Sequence, residues 1–247
     1  VLLVADIGSA SVVAIDTQDT GPVKKLKERV NDVDKKIAAA LGTDKAGINI
    51  ADMTVNPASG KIYVSVQRKA DGLNAIITFD ENGKLAPLNL KKARYVRVPL
   101  PVADQKKIGN ITGVEFTDGR VLAAGQSNEE FSSKIYSLPL PLTHNKPGEV
   151  YSTETYHVAH GRWETRAPIQ SFIPYQEEGE DYIVGSFACT PIAKFKISDI
   201  KQNATIKGTS VVELGSGNRP VDMFTYKKNG KNWLITNTDR FHHERRP

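Results

Sequence analysis

What the chain lacks narrows its class first. It has one cysteine, Cys189, among 247 residues, so no disulfide can form within it. That excludes a small stapled scaffold, and it fits either a reducing compartment or a large periplasmic protein that needs no staple. No apolar run approaches the ~20 residues that span a bilayer, so no membrane span is expected. A basic stripe is also missing. Lys and Arg number 33 against 28 Asp and Glu, interleaved along the chain, for a net charge of +5. With no recognition motif either, nucleic acid is not an expected partner. The chain opens on Val1-Leu2-Leu3-Val4-Ala5-Asp6, a strand pattern with no methionine before it, and the expectation is a processed or truncated edge.

What is present is a repeated strand-rich unit. Asp52–Asp80 shows it best. Met53–Val55 leads into the turn Asn56-Pro57-Ala58-Ser59-Gly60, Lys61–Val66 is rich in β-branched and aromatic residues, and Ala75–Phe79 follows a polar loop. Glu81-Asn82-Gly83-Lys84 then turns the chain, Asn-Gly being a strong hairpin signal. Copies recur. Leu2–Ala5 and Val12–Asp16 match the second and third strands. Ile111–Phe116, Arg120–Gly125 and Lys134–Leu138 give another copy, and Ile169–Tyr175, Asp181–Ser186 and Ala193–Ile197 a further one. Val221–Tyr226 and Asn232–Asn237 begin a fifth. Leu3, Tyr63, Leu122, Ile183 and Leu234 align in the second strand, 60, 59, 61 and 51 residues apart. Fourth strands are weaker: Tyr95–Leu100, Val150–Val158 and Thr209–Leu214. Three strands on short turns cannot bury both their faces, so such units must stack. The pattern predicts an all-β fold, a β-propeller of about five visible blade repeats with room for more in a full ring, spanning residues 1–247 as one domain.

One segment departs from this period. Between Pro22 and Gly42, Val23, Leu26, Val30, Val33, Ile37 and Leu41 fall at spacings near three and four. That predicts an inserted amphipathic helix over 22–42, whose apolar stripe must be covered by the propeller or by a partner.

LLVADIGSASVVAIDT resembles the YVTN-type repeat, in which a strand, a polar turn and a strand ending in Ile-Asp recur. Asn56-Pro57-Ala58-Ser59-Gly60-Lys61-Ile62-Tyr63-Val64 and Phe79-Asp80 fit the same pattern, and NHL-type propellers are similar. The resemblance covers residues 1–16 and 51–85 and is diffuse over 111–240. It implies a β-propeller of a kind commonly extracytoplasmic in bacteria, so a periplasmic or extracellular location is expected. Such propellers include binding scaffolds, lactonase-like hydrolases, quinoprotein-like dehydrogenase subunits and copper reductase domains. No catalytic motif of these matches, so no catalytic residue carries over.

In a propeller the first strand of each blade lines the channel. The loops entering it and the loops between second and third strands share one face. Many unusual residues fall in these predicted loops, among them Arg162, Trp163, Glu164, Cys189 and Arg219. Loops on a rigid scaffold are where binding residues concentrate. Aligned at the channel mouth are Asp52, Thr112, Gln170 and Asp222, with Arg219 and Arg162 nearby in the predicted face. Such a ring could hold a cation or polar ligand, or each carboxylate could pin blades through backbone N–H groups. His157, His160, Glu164, His242 and His243 offer ligand types that suit a divalent metal such as zinc, copper, iron or calcium. Their spacing is equally that of ordinary loop histidines. Cys189, with no base beside it in sequence, reads as a small packed residue more readily than as a nucleophile.

Two functions remain in view. One is an extracytoplasmic scaffold binding a ligand or protein on its loop-rich face. The other is a metal-dependent, quinoprotein-like or lactonase-like enzyme using the histidine set. The expected partners include a further fragment or chain that completes the propeller. The first repeat lacks a first strand, and the last, after Asn232–Asn237, lacks a third.

Overall fold

Two strands, β1 (Leu2–Asp6) and β2 (Ser11–Ile15), open the chain across a tight turn. In the computed structural model, residues 1–102, 107–129, 132–158, 161–164, 166–188, 191–201, 204–215 and 217–240 are described, without the side chains of His157 and Arg240. The helix α1 (Val33–Ala40) precedes a four-stranded antiparallel meander, β3 (Ile48–Val55), β4 (Ile62–Arg68), β5 (Leu73–Phe79) and β6 (Leu85–Pro87). The strand β7 (Tyr95–Pro99) pairs with β2, so the segment expected to be the fourth strand of the second repeat completes the first instead. A larger sheet follows: β8 (Ile108–Thr117), β9 (Arg120–Ser127), β10 (Ser133–Pro139), β11 (Glu149–His157) and β12 (Arg162–Glu164), in spatial order β12-β11-β10-β9-β8. Next come β13 (Ile169–Glu177), β14 (Glu180–Phe187) and β15 (Ile192–Lys196). Then β16 (Thr205–Lys207) returns to run parallel to β11, and β17 (Thr209–Val212) closes the sheet β13-β14-β15-β17. The described chain ends in a two-stranded hairpin, β18 (Asn218–Lys228) and β19 (Lys231–Arg240), joined at Asn229-Gly230. With 56% of residues in strands and one α-helix among the described residues, the fold is an all-β propeller of four blades. Among the described residues no helix is long and apolar enough to cross a membrane.

The chain divides into two compact units, one of Val1–Leu2 and Ile15–Tyr95, the other of Leu3–Ala14 and Val96–Pro247. In the first unit, one face of the β3–β6 sheet is covered by α1. Ile37, Ala38 and Leu41 pack on Val64, Val66, Ile77 and Phe79. The helix is shorter than its apolar spacing predicts. It starts after Asp32, held at φ 50°, and ends where Gly42 takes the left-handed φ of 70° that its sequence position predicts. Residues 22–32 run instead as an irregular strap along the blade's turns. Lys24 donates its backbone N–H to Ser59 O (2.8 Å) and Lys27 to Glu81 O (2.9 Å), and Val30 packs where a side chain at Gly83 would stand. These carbonyls satisfy donors that a helix would otherwise use, and tertiary pairing overrides a weak local preference. Val30, Val33 and Ile37 are covered as expected of the stripe, while Leu26 is exposed.

The strap is anchored at Asp19. Its carboxylate Oδ2 accepts from Asn56 Nδ2 (2.7 Å), Ser59 Oγ (2.6 Å) and Tyr63 Oη (2.8 Å), and Lys61 Nζ stands 3.8 Å from Oδ1. Four residues of the repeat motif Asn56–Val64 thus converge on one acid. Burial pushes the Asp19 carboxyl up, but the three hydrogen bonds and the Lys61 charge outweigh it, and it titrates below the ordinary aspartate range. Burial, with the neighbouring carboxylate, pushes the Tyr63 phenol up to about 12.

In the second unit, sheets stack face on face. Along β9, Val121 and Ala123 meet Val12, Val98, Tyr136 and Leu138 on one side. Leu122 and Ala124 meet Ile169, Phe172, Ile183 and Phe195 on the other. Burial on both faces explains why β9 reads as a nearly continuous apolar run. A further cluster, Ile173, Val184, Ile192 and Met223, seats the β18–β19 hairpin on the β13–β17 sheet.

Candidate functional site

The innermost strands share one irregularity. Bulges insert extra residues in each: Ala51 in β3, Gly109 and Thr112 in β8, Gln170 in β13 and Val221 in β18. The residues just after Ala51, Thr112, Gln170 and Val221 are Asp52, Gly113, Ser171 and Asp222. The aligned set Asp52, Thr112, Gln170 and Asp222 therefore mixes two structural positions, because a one-residue offset is invisible in an ungapped alignment.

In the second unit these positions touch across strands. A side chain at Gly113 would meet the Phe172 ring at 3.0 Å, so the ring packs closely on the glycine backbone. Ser171 Oγ donates to Asp222 Oδ1 (3.1 Å), which also accepts the Met223 N–H at 2.7 Å. Asp222 donates its own N–H to Asn237 Oδ1 (3.1 Å), and its carbonyl accepts from Thr236 Oγ1 (2.8 Å). Asp222 thus fastens its hairpin to the neighbouring sheet. Asp52 Oδ1 accepts the Met53 N–H (2.7 Å) within its own strand, and Thr112 Oγ1 lies 3.4 Å from Ala124 O. Arg219 faces Asp239 across the hairpin, with Nη2 and Oδ2 3.7 Å apart.

Arg162–Glu164, expected to fall in a loop entering the next blade, pairs instead with the end of β11 as a small hairpin. Thr155 opposes Glu164, Tyr156 opposes Trp163, and His157 opposes Arg162. This hairpin lies at the outer edge of its sheet, four strands from β8. Just after it, Arg166 O accepts from Gln126 Nε2 (3.0 Å) and Ser132 Oγ (3.2 Å), which ties the end of the hairpin back to β9 and the residue before β10. Arg162 Nη2 is 3.9 Å from Glu164 Oε2, and Glu164 Oε1 accepts the Arg166 N–H (2.9 Å). Trp163 meets Tyr156 edge-on, with ring centroids 5.9 Å apart, and Lys207 Nζ sits 4.7 Å from the Trp163 ring. His160, His242 and His243 lie outside the described residues, as does the side chain of His157. Among the described residues no group of three His, Cys, Asp or Glu is placed to hold a metal.

A groove that sequence reasoning missed lies between the β13–β17 sheet and the terminal hairpin. Its volume is about 230 Å³. Ile173, Val184 and Leu234 supply apolar surface, Tyr175 and Trp233 aromatic surface, and Val211, Thr225 and Asn232 also line it. Its charged members, Glu177 and Lys194, form an ion pair, and Lys194 Nζ stands 4.9 Å from the Tyr182 ring. The Glu177 hydrogen bond and charge hold Lys194 above the ordinary lysine range. Alternation along β13 put Ile173 and Tyr175 on one face, but no signal in the sequence named the elements that would stand opposite them. In the first unit, a more open depression of about 390 Å³ lies among Leu41, Leu73, Ile76, Pro87 and Leu90. At its rim Arg68 donates to Leu41 O (2.7 Å) and clamps Asp71, whose carboxyl the Arg68 hydrogen bonds lower to about 2.

No protein-family description matches this chain, and no curated protein matches its sequence.

Proposed function

We propose that the chain is a binding scaffold whose recognition element is the groove between the β13–β17 sheet and the β18–β19 hairpin. The observation that carries this reading is the groove's make-up. It has apolar and aromatic surface from Ile173, Val184, Leu234, Tyr175 and Trp233, and one ion pair, Glu177–Lys194. At about 230 Å³ it is smaller than the ~300–1,000 Å³ of sites that enclose a whole drug-sized ligand. It suits a single apolar or aromatic side chain presented by a protein partner, the usual form of an interface anchor. The YVTN-type resemblance supports an extracytoplasmic setting for such a scaffold.

The test uses a minimal anchor. In a Trp163→Phe background Trp233 is the one tryptophan left, and its fluorescence reports the groove. Titration with N-acetyl-phenylalaninamide should give a saturable change, and Val211→Phe, which crowds the groove from an exposed position, should abolish it. A linear, non-saturating response indifferent to that substitution would count against the reading.

A further inference from the structure

The second strands β4, β9 and β14 each carry an antiparallel third strand, β5, β10 and β15. Among the described residues β19 pairs with β18 alone. Its free edge is not blunted in the ways that edges usually are. From Trp233 to Thr238 it has no charge and no proline, and Trp-Leu-Ile-Thr is strongly strand-forming. The hairpin face turned away from the groove is also open. Cross-strand partners Phe224 and Ile235 are both exposed there.

We propose that this edge pairs with β19 of a second copy of the chain, antiparallel about a two-fold axis at Ile235. Registers that keep both aromatic faces on one side of the joined sheet change in steps of two. Centring on Ile235 sets Lys231 opposite the partner's Asp239, twice by symmetry. Centring on Leu234 sets Lys231 opposite Asn237, and centring on Thr236 sets Trp233 opposite Asp239, so charge complementarity selects Ile235. The joined sheet has the order β18-β19-β19-β18. That is the four-strand count of β3-β4-β5-β6 and of β13-β14-β15-β17. One row of the open face then reads Phe224, Ile235, the partner's Ile235 and the partner's Phe224. The contact is isologous, so it closes at a dimer.

Sedimentation equilibrium of the 247-residue chain tests this from about 1 to 200 μM, a range that brackets modest interfaces. A monomer–dimer equilibrium is expected. Lys231→Asp replaces two attractive cross-strand pairs with two repulsive ones and should raise the dissociation constant about tenfold. Asp239→Lys should do likewise, although it also removes the Arg219 contact within its own hairpin. The double variant Lys231→Asp/Asp239→Lys should return to within about threefold of the wild type. Hydrogen exchange at residues 231–240 of the unmodified chain gives a readout that no folding defect can confuse, with protection rising as concentration rises. A monomer throughout the range, an open series of higher oligomers, indifference to Lys231→Asp, failure of the double variant to rescue, or concentration-independent exchange would each overturn the pairing.

Discussion

The second strands β14 and β19 are close in sequence and opposite in fate. Asp181-Tyr182-Ile183-Val184 and Asn232-Trp233-Leu234-Ile235 share a polar residue, an aromatic and two aliphatics. Ile183 is 0% and Val184 7% exposed, while Leu234 is 39% and Ile235 41% exposed. The two strands do not differ in hydrophobicity. They differ in their neighbours. On each face of β14 another layer is packed, and β13 and β15 flank it in the sheet. The terminal hairpin has a packed layer on its Met223 face, and its Phe224 face is open. A blade strand is buried when the next blade and the next strand are present, so its apolar residues record a site for a neighbour.

The sharpest test of that contrast is a matched pair of truncations. Ile183→Ala should cost about 3 kcal/mol in urea unfolding, the usual price of a cavity at a fully buried aliphatic. Ile235→Ala, measured in dilute solution, should cost less than about 0.5 kcal/mol. Equal losses would break the comparison and place a covering layer over the hairpin.

A somewhat smaller effect is expected where a neighbour is held by polar contacts. Asp19→Ala leaves Asn56, Ser59 and Tyr63 without their shared acceptor and should cost about 2 kcal/mol. The same carboxylate gives a pH dependence. Its folded pKa lies below its unfolded value, so its contribution is complete above the unfolded range of about 4. That contribution is lost as pH falls through the folded value. Denaturation curves between about pH 6 and 2 should show Asp19→Asn with a flatter acid limb than the wild type. Parallel limbs would remove Asp19 from the account.

Smaller again is the fastening between the two compared regions. Asp222→Ala frees Ser171 Oγ and the Met223 N–H and should cost about 1 kcal/mol. Its signature is faster hydrogen exchange in β18 and β19 with β14 unchanged. Uniform loss of protection across β13–β19 would show that hairpin and blade open as one unit.

Much of the fold was legible because its signals are local. Alternating apolar residues marked Tyr63, Leu122, Ile183 and Leu234 as strand positions at a near-constant repeat, and all four lie in second strands. Gly42 marked the end of the helix. What stayed hidden has physical causes. Arg162–Glu164 is too short a strand to show a period, so its pairing with β11 is not legible in the sequence. Residues 23–32 carry a helical spacing, yet their backbone donors go to the carbonyls of distant turns. The bulges at Thr112 and Gln170 shift the inner register by one, which alternation alone does not reveal.

The sequence by itself determined the class of fold, the second-strand positions and the turn motif Asn56–Val64, because each follows from nearest-neighbour chemistry along the chain. Tertiary structure decided the rest. It set that Tyr95–Pro99 pairs with β2, that Asp222 binds Ser171, and that a groove opens beside Trp233. Each of these joins residues far apart in sequence, and such a meeting depends on how sheets stack and where bulges fall. No local pattern along the chain encodes that.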